Sequence, residues 1–392
     1  MNSFKRFLAI LALILTLCLV CACTSKDDAP EDDSTEGEEQ TDVLTEGDES
    51  TDGATDADDT DAPEAPPEPP EFTNPLTGLE TSKDVSGKRP VSIMVNNIGV
   101  SLPQEGIGQA DILYECLAEG GITRLMMITT EYESLTKVGS VRSARDYYID
   151  YADGYDCIFV HAGGSTYAYD TLYSRRTNNI DGVNGPAAFH YTTGTFERDP
   201  ERLQKFATEH TLVVKSGEGI VNAINYYGYR TEKNAGYEKP MVFAEFGETT
   251  TLSSSATHAR VVVSNYQTVD YVYSENTGLY SRYQYNGQAH IDNTTGEQLA
   301  FKNVVVLFTT TAAIPGDDKA RIDIGTTGSG SGWIMTEGTY QKITWNKDSS
   351  GSVLKFYFED GTEVLFNRGK TMINVVPTYN SSYVTFDDNW NG

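Results

Sequence analysis

Apolar and polar positions change rhythm along this chain, and each rhythm predicts a different kind of segment. Phe7–Val20 is an apolar run, whereas residues 24–72 show no apolar period. Between 73 and about 235, short apolar runs alternate with helix-length segments. Val91–Val95 and Asp156–Val160 read as buried strands. Asp111–Glu119 and Ile122–Ile128 read as a strand pair, although Ile112, Leu113, Cys116 and Leu117 also fit helical spacing. Helices are predicted over Tyr167–Tyr173, over Asp199–His210 with Pro200 in its first turn, and over Gly217–Tyr227. Asn178–His190 reads as a Gly/Asn-rich loop. From Met241 the texture becomes β-rich, in runs such as Val261–Val263, Val269–Tyr273, Leu279–Tyr285, Val304–Phe308, Tyr340–Trp345 and Met372–Val376. Gly328–Gly332 reads as a flexible turn, because nothing helical or cationic follows it. The fold class is therefore α+β. An N-terminal α/β layered module with a mixed sheet (73–235) precedes a mainly antiparallel β module (236–378) and a short tail (379–392).

Chemistry-bearing residues gather in 111–165. A two-residue Gly120-Gly121 loop sets Glu119 opposite Ile122, Leu117 opposite Arg124 and Glu115 opposite Met126. Glu115, Glu119 and Arg124 then share one face. Ser143 and Asp146 have capping-box spacing, which predicts a helix from Ser143. Arg142 precedes that cap and Arg145 falls in the first turn. Cations there oppose the helix dipole, yet they are well placed to receive an anion. The alternative is internal pairing with Glu115, Glu119 or Asp146. Val160 runs into His161-Ala-Gly-Gly-Ser165, with a helix beginning at Ser165 or Thr166. A strand, a glycine turn and a helix form ligand crevices at strand carboxyl ends. His161 there is either a ligand contact or a hydrogen-bonded structural residue.

Met1–Cys23 reads as a targeting segment, with Lys5 and Arg6 before an apolar run too short to span a bilayer comfortably. Val20-Cys21-Ala22-Cys23 is similar to a bacterial lipobox, which makes Cys23 the expected diacylated N-terminus and the lipid bilayer the expected partner. Residues 24–72 hold 20 Asp and Glu against one basic residue, Lys26, and contribute −19 of the formal −28. Such a segment cannot bury enough apolar surface to fold and reads as an extended spacer. The remaining residues, 73–392, carry a modest −11. Cys116 and Cys157 lie in apolar runs and read as buried thiols, with a disulfide left open. No Cys/His spacing reads as a zinc site. Neither a cofactor nor a nucleic-acid partner is expected.

Several segments, in order, resemble the YerB-like bacterial lipoproteins. They include Lys88-Arg-Pro-Val-Ser-Ile-Met-Val-Asn-Asn97, Gln109-Ala-Asp-Ile-Leu-Tyr-Glu115, Glu119-Gly-Gly-Ile-Thr-Arg124, Gly139-Ser-Val-Arg-Ser-Ala-Arg145 and Val160-His-Ala-Gly-Gly164. Thr344-Trp-Asn-Lys347 and Asn367-Arg-Gly-Lys-Thr371 extend the match to about residue 378. The family usually has Pro-His-Asn where this chain has Glu209-His210-Thr211, which sets His210 apart from any shared site. The resemblance implies two modules of unknown function on a lipid anchor, at the extracytoplasmic face of the bacterial membrane.

Two functions fit. The first is a binding or scaffolding module for a cell-wall polymer or an envelope protein, with Arg124, Arg142, Arg145, His161, Glu115, Glu119 and Asp146 as its anion-binding surface. The second is a surface phosphotransferase or hydrolase, loosely similar in pattern to LytR-CpsA-Psr wall-polymer transferases. There Arg124, Arg142 and Arg145 would clamp a pyrophosphate while Asp111 or Asp146 held Mg²⁺.

Overall fold

Five strands from the first half of the chain are β1 (Val91–Asn96), β2 (Ile112–Leu117), β3 (Thr123–Thr129), β4 (Ile158–His161) and β5 (Asn179–Asp181). The second half supplies β6 (His258–Val262), β7 (Thr268–Ser274), β8 (Leu279–Gln284), β9 (Asn303–Thr309), β10 (Gly328–Thr336), β11 (Thr339–Lys347) and β12 (Thr371–Pro377). The structure is a computed structural model that describes residues 68–186, 188 and 192–390. Cys23, the rest of Met1–Cys23, and the spacer as far as residue 67 lie outside the described residues.

Both halves contribute to one 11-stranded sheet, in the order Ser254–Ser255, β11, β10, β9, β12, β2, β3, β1, β4, β5, with Lys355–Tyr357 beside β11. The halves join where β2 runs parallel to β12. Every residue of β2, β3, β9 and β12 is buried, as expected of strands covered on both faces. One cover is α1 (Asp146–Gly154), whose Tyr151 ring stacks on Tyr114 of β2 at 5.0 Å. The other is a six-stranded sheet built around β8, β7 and β6. Its Tyr271 hydroxyl donates to Asn374 of β12 at 2.9 Å. Ala65–Gly392 forms one compact unit with a continuous hydrophobic core, the property of a domain that folds alone.

Several expectations need correction. The β2–β3 register is shifted by one residue: Leu117 faces Thr123, Cys116 faces Arg124 and Glu115 faces Leu125. The loop has three residues, Glu119–Gly121, closed by Ala118 N–H donating to Ile122 O at 2.8 Å. Gly120 and Gly121 both adopt positive φ (69° and 78°), which glycine accepts without strain. A one-residue shift sends side chains to the other face, so Glu115 and Arg124 point away from each other. Gly328–Gly332 is strand rather than turn: a Cβ on Gly330 would lie 2.6 Å from the Trp345 indole nitrogen, and one on Gly332 2.3 Å from Val306 O. Those glycines let the strands approach. The predicted loop 178–190 contains β5, and the predicted helix over Asp199–His210 stops at Lys205. The tail residues Val384–Asp387 form a strand against β6. Cys116 and Cys157, by contrast, are the buried thiols that their apolar runs predict, and both are free.

The shifted register delivers Glu115 to the space between the two sheets. Its Oε2 accepts from Arg282 Nη2 at 2.6 Å, and both side chains are fully buried. Its Oε1 accepts from Thr123 Oγ1 (2.6 Å), Gln267 Nε2 (2.8 Å) and Asn97 Nδ2 (2.9 Å). Burial works against the Arg282 charge, but Glu115 more than offsets it and holds the guanidinium pKa above its usual range. His290 is pushed the other way, by burial and by Arg282. Neutral, its Nδ1 accepts from Arg282 and its Nε2–H donates to Gln104 Oε1 at 2.8 Å.

Removing one partner of a buried, hydrogen-bonded ion pair leaves the other charge uncompensated. Arg282→Met is expected to destabilise the fold by about 3–5 kcal/mol in urea unfolding, with the double replacement Glu115→Leu/Arg282→Met recovering part of the loss. A single-variant loss below about 1 kcal/mol would show that the pair does not hold the sheets together.

Candidate functional site

β1 and β4 run side by side in parallel, and their carboxyl ends lie at Asn96 and His161. The segment 141–144 threads between them. Arg142 N–H donates to Met94 O at 3.0 Å, Ala162 N–H to Arg142 O at 3.0 Å, and Ala144 N–H to Gly163 O at 2.8 Å. These bonds hold the segment extended, so the helix starts at Asp146 rather than at Ser143. Arg145 is the N-cap residue, without a side-chain cap. The strand ends and the helix start thus bring three arginines to one place.

Two of them are engaged. Arg145 holds Glu119 in a bidentate grip, Nε on Oε1 and Nη2 on Oε2 at 2.8 Å. Arg124, 4 % exposed, donates to Ser143 O at 2.5 Å and lies 3.5 Å from Glu119 Oε2. Burial, reinforced by Arg145, pulls its pKa down to about 10. Burial alone would raise the Glu119 pKa, but Arg145 and then Arg124 hold it below the usual range. Burial likewise opposes the Arg145 charge, and Glu119 more than compensates.

Arg142 differs. Its Nη1 donates to Glu209 O at 2.9 Å, while its buried Nε has no hydrogen-bond partner among the described residues. Burial and the neighbouring Arg145 both push its pKa down. Among the described residues no carboxylate lies within ion-pair distance of it. Of three neighbouring guanidinium groups, the close carboxylate Glu119 therefore reaches two, Arg124 and Arg145. Asp146 opens α1 beside them, its pKa raised by burial and then by Asp150 and Asp323.

His210 joins this site, although the run around it departs from the family's. Its Nδ1 accepts from Asn96 Nδ2 at 2.9 Å, which leaves the ring proton on Nε2. Burial and then Arg142 lower its pKa. No local signal could have found it: 114 residues separate it from Asn96.

Two predicted members fall elsewhere. Glu115 faces the second sheet, as described. His161 is fully buried and bonded to Gly163 O (2.8 Å) and Asn179 Oδ1 (3.2 Å). The glycine turn beside it is already filled by a carboxylate, because Gly163 and Val183 N–H both donate to Asp181 Oδ1 at 2.8 Å. His161 is a structural residue of that turn. Asp111 precedes β2, at the other end of the strand from Glu119, roughly 20 Å away at about 3.4 Å per residue. It accepts from Thr130 N–H at 2.8 Å. Asp111 therefore cannot hold a metal for a pyrophosphate clamped at Arg145. Among the described residues no three His, Cys, Asp or Glu side chains are grouped to bind a metal ion.

The two arginines should differ in stability. Arg145→Ala strands a half-buried Glu119 and is expected to cost about 2–3 kcal/mol in urea unfolding. Arg142→Ala should stay within about 0.5 kcal/mol; the reverse order would contradict these roles. His210 adds a pH dependence. Its folded pKa lies below the usual 6.5, so the unfolded chain binds the proton more readily. Its contribution is fully present above pH 6.5 and is lost as pH falls through the folded value. Arg142→Ala should shrink that loss in unfolding curves collected from pH 7.5 to 5, and an unchanged slope would contradict the Arg142–His210 coupling.

Comparison with known proteins agrees with this architecture. Residues 76–225 match the family described as Protein of unknown function (DUF3048) N-terminal domain, and residues 259–373 match the corresponding C-terminal domain. A protein of Bacillus subtilis (strain 168) described as "Putative lipoprotein YerB" is 30% identical over 317 residues, spanning 79% of this chain and 88% of that protein. The crystal structure of YerB protein from Bacillus subtilis superimposes with a TM-score of 0.67 at 29% identity, covering 81% of this chain and 99% of that one. With both domains present in order and a relative aligned over most of its length, the chain belongs to the two-domain YerB-like family.

Proposed function

We propose that this protein is a lipid-anchored envelope protein whose Arg142 surface binds an anionic group of a cell-wall polymer. Cys23 carries the diacylglycerol, and the acidic segment 24–72 spaces the folded unit from the extracytoplasmic face of the membrane. Support for the anchor comes from Val20-Cys21-Ala22-Cys23 and from the description of the Bacillus subtilis relative as a lipoprotein. Among the described residues no helix is long and apolar enough to cross a membrane.

The observation that carries the binding reading is Arg142 itself. A guanidinium with one carbonyl partner, a buried unpartnered Nε and two arginine neighbours is costly to keep unless something offsets the charge. Its planar fork matches the oxygens of a phosphate or carboxylate. The Nε2–H of His210 offers one further donor. Phosphate or carboxylate groups repeated along a wall polymer present this chemistry many times over.

Calorimetry of the Ala65–Gly392 unit with pyrophosphate and with glycerol-phosphate oligomers tests the reading. Binding is expected, and Arg142→Ala should weaken it about tenfold while leaving urea stability unchanged. At a hundred times its dissociation constant the ligand should stabilise the unit by about 2.7 kcal/mol. Equal binding by Arg142→Ala, or no binding by the natural protein, would overturn it.

A further inference from the structure

A cleft of about 700 Å³ opens where the two halves meet, at the end of β2 opposite to the arginine cluster. That volume falls in the range of small-molecule sites, about 300–1,000 Å³. Ile107, Leu299 and Phe301 form its floor and are nearly fully buried. Leu79, 45 % exposed, and Leu279 stand higher on the wall. These residues give the cleft an apolar lining, built from both halves and left open to solvent.

Cations line the cleft as well. They are Lys302, Arg368 and Lys370, and they differ in what neutralises them. Lys302 is paired with Glu337. Among the described residues Arg368 donates to two backbone carbonyls, Gly78 O at 2.6 Å and Ala244 O at 3.1 Å, and Lys370 Nζ to one, Gly108 O at 2.5 Å. Among the described residues neither has a carboxylate within ion-pair distance. The carboxylates of the lining are held elsewhere, and Asp111 acts on Lys370 only from beyond ion-pair distance. Asp292 is turned inward, accepting from Gly106 and Gly108 N–H at 2.8 and 2.7 Å, and Glu297 is exposed at the rim.

We propose that this cleft binds a single-chain amphiphile with an anionic head. The alkyl chain lies along Leu79, Leu279, Leu299 and Phe301, and a phosphate or carboxylate head meets Lys370 and Arg368. Either part alone is insufficient. An apolar trough holds a chain without choosing its head, and two part-exposed cations hold a free anion weakly. Because Gly108 and Ile107 come from the first half and the remaining contacts mostly from the second, the site exists only when the halves are assembled. It is independent of Arg142, so the two readings fail separately.

Calorimetry on the Ala65–Gly392 unit, with every probe below its micelle-forming concentration, tests this. Decyl phosphate is expected to bind, and octyl phosphate about fifteenfold more weakly, since each of the two buried methylenes contributes about fourfold. Inorganic phosphate and decyl maltoside should each bind at least about tenfold more weakly than decyl phosphate. Lys370→Ser should weaken decyl phosphate about tenfold without affecting decyl maltoside. Ala300→Trp, or Thr277→Trp on the exposed turn if the first variant does not fold, should block the trough. Decyl maltoside matching decyl phosphate would reduce the site to an unselective apolar surface and overturn the proposal. So would inorganic phosphate matching decyl phosphate, binding unchanged by either tryptophan, or no binding of decyl phosphate.

Discussion

The buried Glu115–Arg282 pair is the constraint around which the molecule is arranged. Glu115 lies within the N-terminal family match and Arg282 within the C-terminal one, and neither is exposed to water. A carboxylate there is tolerable only with its oxygens fully used, and four donors from both halves use them. Packing between the sheets must therefore keep one register, because a slip would leave a charge buried without its partner. The parallel pairing of β2 with β12 makes the same connection through the backbone. Two family domains that are separate in sequence thus share one sheet and one core.

That arrangement frees the two ends of β2 for different work. At its carboxyl end the polypeptide threads between β1 and β4, which places Arg142 and Arg145 beside Arg124. Glu119 satisfies Arg145 and part of Arg124, and the charge left over rests on Arg142. At its amino end, the meeting of the halves leaves an apolar cleft that cations also line. In each place at least one cation has no carboxylate within ion-pair distance among the described residues.

The sequence was most legible where structure is local. Gly217–Tyr227 is a helix over the residues its period indicates, with Ser216 as its cap, and the apolar runs around Val304 and Met372 are buried strands. Distant partners were not legible. Whether the loop after β2 holds two residues or three depends on one hydrogen bond, from Ala118 to Ile122, and that bond decided which face received Glu115. Gly328–Gly332 looks like a turn until Trp345 is laid across it. Pairing of β2 with β12 joins segments more than 250 residues apart, and nothing in either strand announces the other. Within the candidate site, Arg124, Arg142, Arg145, Glu119 and Asp146 do gather. Their sequence clustering survives because they flank one hairpin and one helix start. His210 reaches them only through the fold.

The two halves form one folding unit, and native-state hydrogen exchange measures this most directly. Amides of β2 and β3 in the first half should open with the same free energy, and the same denaturant dependence, as those of β9 and β12 in the second. Opening of one half at markedly lower free energy than the other would contradict the account and make the shared sheet a docking contact between independent domains.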